Sequence, residues 1–374
     1  MTTEEKLTLI HQVGEEIISE EELRKFLESG EKLIAYDGFE PSGQIHIAQG
    51  ILRAINVNKI TKTGIAFKML VADWHAWANK KMGGDLEKIQ TTGKYFIEVW
   101  KASGMDLTNV EFVWASELVK HPDYWKLVLQ IAQTNSINRF IRTAEIMGRE
   151  ESTELSAAQI IYPCMQTADI FLLGAKITQL GMDQRKVNML AREIGHQLGY
   201  WKPVVVSHHM LMGLKQIESI NRVGQAAENV LGPLKEPHSS YKRAVLLKMS
   251  KSKPDSAIYM TDSFEDIKRK ITNAWCPEGE VTENPVLEYC KYILFESFVT
   301  LNIDRPEKFG GSVEFKSYGE LEKAFADKKL HPQDLKQTVI TLLDKLLKPV
   351  RNHFETNLEA KALLEKVRSY QVTR

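Results

Sequence analysis

Five short apolar runs separated by longer amphipathic stretches organise the first part of the chain. LIAYDGF (33–39), IAFKMLVAD (65–73), VEFVWAS (110–116), KITQLGM (176–182) and PVVVSH (203–208) read as strands. Each is short, nearly continuous in apolar residues and rich in β-branched or aromatic side chains. Between them the apolar positions take helical spacing: within 86–100, Leu86, Ile89, Phe96, Ile97 and Trp100 fall largely on one helical face. Buried strands alternating with helices predict an α/β fold with a doubly wound, mostly parallel sheet. Ligands in such sheets sit beyond the carboxyl ends of the strands, so the loops at 37–50, 73–84 and 181–186 are expected to face one site.

The flanks follow other patterns. Residues 3–29 are rich in Glu, Lys and Leu and predict an amphipathic helical lead-in ending at Gly30 as its C-cap, within an N-terminal segment 1–32. The stretch 117–172 is too long for a simple crossover and reads as a helical insertion, with about 117–155 offering a dimer surface. Residues 215–247 are broken by Gly224, Gly232, Pro233 and Pro237 and read as a long loop with some helix. After 263 the pattern turns helical: Leu335, Val339, Leu342, Leu346 and Val350 step by three and four, and a second charged helix starts at 358. The expected division is a strand-and-helix domain over 33–262 and a mainly α-helical C-terminal domain over 263–374.

Composition narrows the function classes. With 374 residues, 43% of them hydrophobic, the chain can bury a large core. Lys+Arg and Asp+Glu are both 49, so no global positive field gathers polyanions, and any nucleic-acid partner must be held by local patches. Cys164, Cys276 and Cys290 form neither a metal framework nor an even disulfide set, which fits a reducing compartment. No apolar run is long enough to span a bilayer, and the polar start MTTEEKLTLI lacks a signal-peptide core, so a cytoplasmic location without membrane contact is expected.

Two segments carry chemistry. YDGFEPSGQIHIAQG (36–50) reads as a strand entering a turn with Gly38, Pro41 and Gly43 and then a helix with His46 in its opening turn. Glycines let backbone approach a phosphate, and a helix N-terminus offers free N–H groups. In KMSKSKPDSAIYMTD (248–262), Lys248, Lys251 and Lys253 interleave with Ser250, Ser252 and Ser256, donors suited to a triphosphate. Alone, the first is an ordinary turn and the second a solvated basic loop. Together they are specific: 248–252 spells KMSKS, and HIAQ (46–49) looks like a degenerate HIGH motif, so the chain resembles class I aminoacyl-tRNA synthetases.

The middle of the chain refines that resemblance. YPCMQTADI (162–170) and GMDQRK (181–186) resemble tyrosyl-tRNA synthetases of archaeal and eukaryotic type. Residues 162, 166 and 169 recur at helical spacing, so their side chains can face one pocket. The resemblance implies a Rossmann-like catalytic domain in which Tyr36 and Asp169 bond the phenol of L-tyrosine while Tyr162, Gln166 and Gln184 hold its ammonium end. It implies ATP between the 36–50 turn and the 248–252 loop, contacted by Gly38, Gly43, His46, Lys248, Ser250 and Lys251, with the Met210 and Leu211 backbone against adenine. His46, Gln49, Lys248 and Lys251 are then the catalytic group, and Mg2+ accompanies ATP on phosphate oxygens and water, with no metal of the protein's own. In-line positioning and charge neutralisation do the chemistry, with no covalent nucleophile.

Two departures from the family pattern stand out. Ala48 and Gln49 replace the third and fourth HIGH positions, and 33 residues separate Leu214 from Lys248 where relatives place only a few. The bland reading of the second is a tolerated surface loop. The sharper one is a segment that modulates loop closure or binds RNA through Lys235, Lys242 and Arg243. The resemblance also implies that Phe309 in RPEKFGG (305–311) and His331 in HPQD (331–334) sandwich an anticodon base whose edge Asp334 bonds. Arg185 and Lys186 are placed near the acceptor stem, and the protein is expected to be a homodimer. Two rivals are a tryptophan-specific enzyme of the same subclass and a non-catalytic RNA-binding scaffold. The paired polar residues Tyr36 and Asp169 argue against the first, and complete KMSKS with His46 against the second.

Overall fold

The computed structural model describes residues 1–143, 155–215, 247–249 and 254–370. The strands are β1 (Gly14–Ile18), β2 (Ile34–Phe39), β3 (Ala66–Val71), β4 (Val110–Trp114), β5 (Ile177–Thr178) and β6 (Val204–His208). They form one sheet in the order β1-β6-β5-β2-β3-β4. All neighbours are parallel except β1, which runs antiparallel to β6. Strand order reverses between β2, which leads outward to β3 and β4, and β5, which leads to β6 on the other side. The crevice at that switch point is where such sheets bind ligands.

The five expected strands are present, each a little shorter than its apolar run. The lead-in differs. Residues 3–29 form a helix (Thr3–His11), then β1, then a helix (Glu20–Glu28), rather than one helix. The break is written in local chemistry. Ser19 accepts from Glu22 N while the Glu22 side chain accepts from Ser19 N, a capping box that starts a new helix. The intervening GEEII covers the otherwise open edge of β6. Gly30, at φ +72°, sits just past the second helix, as a C-terminal glycine should.

Helices Ala115–Leu118, Tyr124–Thr134, Ile137–Thr143 and Ala157–Leu172 fill the stretch between β4 and β5. Trp100 is buried, whereas Trp77 is 46% exposed. The C-terminal region contains helices Phe264–Thr272, Pro285–Tyr289, Tyr318–Ala326, Pro332–Thr356 and Leu358–Ser369. It also carries an unanticipated hairpin, β7 (Leu301–Ile303) with β8 (Val313–Phe315). Along Pro332–Thr356 the buried stripe is Leu335, Val339, Ile340, Leu343, Leu347, Val350 and Phe354. Leu342 and Leu346 are only half-buried, because at 3.6 residues per turn they fall at the edge of the stripe centred on Leu343, Leu347 and Phe354. Phe354 packs on Tyr95 with ring centroids 5.4 Å apart, and His353 Nε2 lies 2.8 Å from Glu98, joining this helix to Leu86–Ala102. One apolar cluster runs through both regions.

Candidate active site

The switch point gathers a buried polar set inside apolar walls. Tyr36 comes from β2, and Tyr162, Gln166 and Asp169 from successive turns of Ala157–Leu172; all four are buried. Asp169 is held from two further elements. The Tyr124 hydroxyl donates to its Oδ1 at 3.1 Å, and His75 Nε2 lies 2.9 Å from its Oδ2. The His75 ring meets Tyr162 edge-on at 5.1 Å. Burial alone would lower the His75 pKa, but the Asp169 charge beside it carries it above the ordinary histidine value. Burial, then the charges of Asp169 and Asp37, push the Tyr36 phenol well above the usual tyrosine range, so it stays a hydroxyl.

The other end of this pocket is lined by amides. Gln166 Nε2 donates to Gln184 Oε1 at 3.1 Å, linking the long helix to the Met182–Gln184 turn after β5. Burial and then the neighbouring Glu40 carboxylate raise the Tyr162 pKa. Glu40 accepts from Asn79 Nδ2 at 3.0 Å, so the loops after β2, β3 and β5 converge here. Below them Arg53 is a buried post: Nη1 donates to Asp37 Oδ2 at 2.5 Å and to Gln179 O at 3.2 Å.

The second segment set lies alongside. Gly38 N donates to Asp37 Oδ1 at 2.8 Å, and Gly43 takes φ +94°, a conformation glycine adopts without strain. His46 stands at the opening of the turn that leads into the helix: its carbonyl accepts from Gln49 N at 2.9 Å and from Gly50 N at 3.0 Å, and the continuous helix begins at Ile51 after Gly50. The same residue is bridged to Tyr259, and Ile47 N donates to Ile258 O. A Cβ on Gly50 would run into the Met260 side chain, so the glycine lets the two segments approach closely. The Gln49 carbonyl accepts from Trp100 Nε1 at 2.8 Å. Leu211 and Gly213 pair with Met249 and Leu247 in a short antiparallel ribbon that carries Lys248, whose Nζ donates to Asp183 Oδ2 at 2.7 Å. Met210 lies just before the ribbon, next to Gly181. Ser250 and Lys251, like Lys235, Lys242 and Arg243, lie outside the described residues.

Comparison with known proteins decides the family. The model for "tRNA synthetases class I (W and Y)" matches residues 28–245 and 244–348. The chain is 47% identical over 374 residues to tyrosine–tRNA ligase 1, cytoplasmic, of Arabidopsis thaliana, covering 99% of this chain and 90% of that one. It is 41% identical to the tyrosine–tRNA ligase of Saccharolobus islandicus (strain M.14.25 / Kamchatka #1), covering 100% of both. It superposes on the tyrosyl-tRNA synthetase complexed with L-tyrosine from Pyrococcus horikoshii with a TM-score of 0.87 at 38% identity, covering 98% of this chain and 100% of that one. The chain belongs to the tyrosine–tRNA ligases. It has the class I synthetase fold, and that class uses ATP.

The remaining predicted residues of the ligase are dispersed. Arg185 Nε donates to Glu16 at 2.9 Å, and Lys186 Nζ donates to Arg142 O at 3.1 Å. In the C-terminal region, Phe309 ends the Glu307–Phe309 turn, and His331 is exposed at the start of Pro332–Thr356. His331 itself caps that helix, with Gln333 N donating to its Nδ1 at 3.2 Å; Asp334 lies in the first turn, and the helix starts three residues earlier than the sequence suggests. Arg305 ties the two segments by donating to Gly311 O at 3.0 Å and Lys329 O at 2.9 Å.

Sequence reasoning assigned no role to Tyr124, His75 or Asp183. His75 follows β3 at the carboxyl edge of the sheet, which was a usable signal. Tyr124 is 45 residues from Asp169 and carries no motif. His208 and His209 do not converge: His208 Nδ1 lies 3.4 Å from Arg53, whereas His209 faces Glu15 and Glu288.

Proposed function

We propose that the ligase holds the phenol of L-tyrosine between Tyr36 and Asp169 and its ammonium against Tyr162, Gln166 and Gln184. The observation that carries this reading is the Asp169 carboxylate, fully buried yet aligned by Tyr124 and His75 beside the Tyr36 hydroxyl. A site built to bond a hydroxyl leaves its own polar groups unsatisfied when phenylalanine enters; tyrosyl-tRNA synthetases are themselves the reference case, at about 10⁵.

ATP lies between the 36–50 turn and the 248–252 loop, touching Gly38, Gly43, His46, Ser250 and the Met210 and Leu211 backbone. A tyrosine carboxylate oxygen attacks the α-phosphorus, the bond from that phosphorus to the bridging oxygen breaks, and pyrophosphate leaves. Lys248 and Lys251 neutralise the charge on the departing group, and His46 and Gln49 stabilise it by donating hydrogen bonds. The 3′-terminal hydroxyl of the tRNA then attacks the carbonyl of tyrosyl-adenylate and AMP departs. When bound with ATP, Mg2+ would supply further neutralisation of the phosphate charge, with phosphate oxygens and water as its ligands. Among the described residues no group of three or more His, Cys, Asp or Glu is set to hold a metal by itself.

Phe309, His331 and Asp334 read the anticodon, and Arg185 and Lys186 lie toward the acceptor stem. We further infer a homodimer through the insertion. Trp125, Leu129, Ile137 and Ile161 are 44%, 62%, 59% and 37% exposed, and Trp74 links Trp77 and Trp125 at ring-centroid distances of 5.8 and 6.2 Å, so this region carries large exposed apolar side chains around an aromatic cluster. A cytoplasmic setting is supported by the three free buried cysteines and by the Arabidopsis relative's name; no described helix is long and apolar enough to cross a membrane.

The test is ATP–pyrophosphate exchange with tyrosine, tryptophan and phenylalanine on the parent and on Asp169→Ala. Exchange with tyrosine alone, lost or relaxed in the variant, is expected. Exchange with tryptophan overturns the pocket assignment, and no exchange with any of them favours a scaffold.

A further inference from the structure

Met212 lies directly opposite Lys248 in the ribbon of 211–213 with 247–249. The ribbon's hydrogen bonds run from Met249 N to Leu211 O at 2.8 Å and from Gly213 N to Leu247 O at 2.9 Å. In an antiparallel pair of that kind the amide and carbonyl of Met212 point away from Lys248. Both are taken up by consecutive residues of the C-terminal region. Met212 N donates to Glu288 Oε2 at 2.9 Å, and the Tyr289 hydroxyl donates to Met212 O at 3.0 Å. Side chains of the C-terminal region thus stand where a third strand would.

Glu288 is itself anchored. Its other oxygen lies 3.2 Å from His209 Nε2, and His209 Nδ1 lies 3.3 Å from Glu15. Glu15 occupies the point where the register of β1 shifts against β6, the kind of irregularity that re-aims a side chain. The His209 ring stacks on Tyr292 at 4.2 Å with an 11° tilt, and Lys291 lies over the outer ring. The charged or titratable groups around His209 are therefore Glu15 from β1, Glu288, Lys291 and Tyr292 from the C-terminal region, and His208 beside it in sequence.

We propose that Glu288 and His209 are positioning residues that set the ribbon carrying Lys248 against the nucleotide, so that the C-terminal region grips the ATP end of the site. The proposal rests on the reading of Met210, Leu211 and Lys248 as that end. Burial works against an imidazolium here, but the carboxylates of Glu15 and Glu288 raise the His209 pKa to about 9, so the anchor is charged at neutral pH. Movement of the ribbon by a fraction of an ångström shifts Lys248, whose Nζ lies 2.7 Å from Asp183 Oδ2.

Pyrophosphate exchange on the full chain gives KM for ATP and for tyrosine separately. Glu288→Ala is expected to raise KM for ATP about tenfold and to leave KM for tyrosine within about twofold. Glu288→Gln keeps an acceptor for Met212 N but removes the charge facing His209. It is expected to fall between parent and Glu288→Ala, with the His209 pKa, followed by NMR, dropping toward the ordinary value. Equal rises in both KM values, or none in either for both variants, overturn the proposal. Lys248→Ala separates it from its foundation: no ATP effect in that variant removes the ATP-end reading and the proposal with it. An ATP effect there but in neither Glu288 variant removes the proposal alone.

Discussion

His75 Nε2 lies 2.9 Å from Asp169 Oδ2 with both side chains buried, while Tyr124 bonds the other carboxylate oxygen. The Tyr124 hydroxyl and the His75 ring come from different elements, one in the insertion and one after β3, and flank the two carboxylate oxygens. If that clamp orients Asp169 for the phenol, losing the His75 contact should cost about 10- to 100-fold in tyrosine KM, as for a polar interaction with a charged group. His75→Phe is expected to show this with KM for ATP unchanged, and to weaken rejection of phenylalanine. His75→Gln, which can still donate, should recover most of it. A parallel loss in ATP KM would assign His75 to general packing instead.

The same insertion joins the pocket to the apolar surface. Tyr124 points its hydroxyl at Asp169, and the next residue, Trp125, packs its ring against Tyr124 at 5.4 Å while remaining exposed. Leu129, one turn on, is more exposed still. Placing a carboxylate in a dimer interface core costs several kcal/mol, so Leu129→Asp should give monomers by light scattering at micromolar concentration. We expect those monomers to retain a folded circular-dichroism spectrum and to lose tRNA charging. A Leu129→Asp protein that still runs as a dimer removes this face from consideration.

The sequence and the structure agree best where strands are deeply buried. β2, β3, β5 and β6 are largely buried and so read as apolar runs, while β4, half-buried at one edge, is legible from its Val, Phe and Trp residues. β1 is a Glu-rich edge strand whose composition looks helical, and only the Ser19 and Glu22 capping box betrays the interruption. Tyr162, Gln166 and Asp169 were legible together because one helix spaces them. The residues that hold Asp169 were not, since Tyr124 and His75 reach it through tertiary packing that no local spacing encodes. His46 was legible at the opening of its turn, whereas its bridge to Tyr259, more than two hundred residues away, was not.

His209 makes stability depend on pH in a predictable direction. Its folded pKa of about 9 lies above the ordinary value near 6.5, so the folded state binds its proton more tightly than the unfolded chain does. The resulting stabilisation is complete below about pH 6.5 and is lost as pH rises through about 9. Its size is on the order of 3 kcal/mol at 1.4 kcal/mol per pK step. Lysines and tyrosines titrate near the top of this window, so the quantity to measure is the difference in urea unfolding free energy between parent and His209→Gln. That difference should shrink as the pH is raised from 6 to 10; a difference independent of pH would mean His209 contributes packing rather than charge.

His331 combines two roles that a pair of substitutions can pull apart. Its Nδ1 accepts from Gln333 N and so caps Pro332–Thr356, the helix that carries much of the C-terminal core. The ring is exposed beside the Arg305–Gly311 loop that Arg305 fastens to Lys329. Asparagine is a good N-cap and has no aromatic face, so His331→Asn should keep the melting temperature of the parent. Its KM for tRNA should nevertheless rise roughly tenfold, the consequence of losing about 1–3 kcal/mol of base stacking. His331→Ala should show that same tRNA defect and, in addition, a stability loss of about 1 kcal/mol from the missing cap. Tyrosine-dependent pyrophosphate exchange, which needs no tRNA, should be unchanged in both. If His331→Asn charges tRNA like the parent, the residue is a helix cap only, and the base-stacking surface must be sought elsewhere.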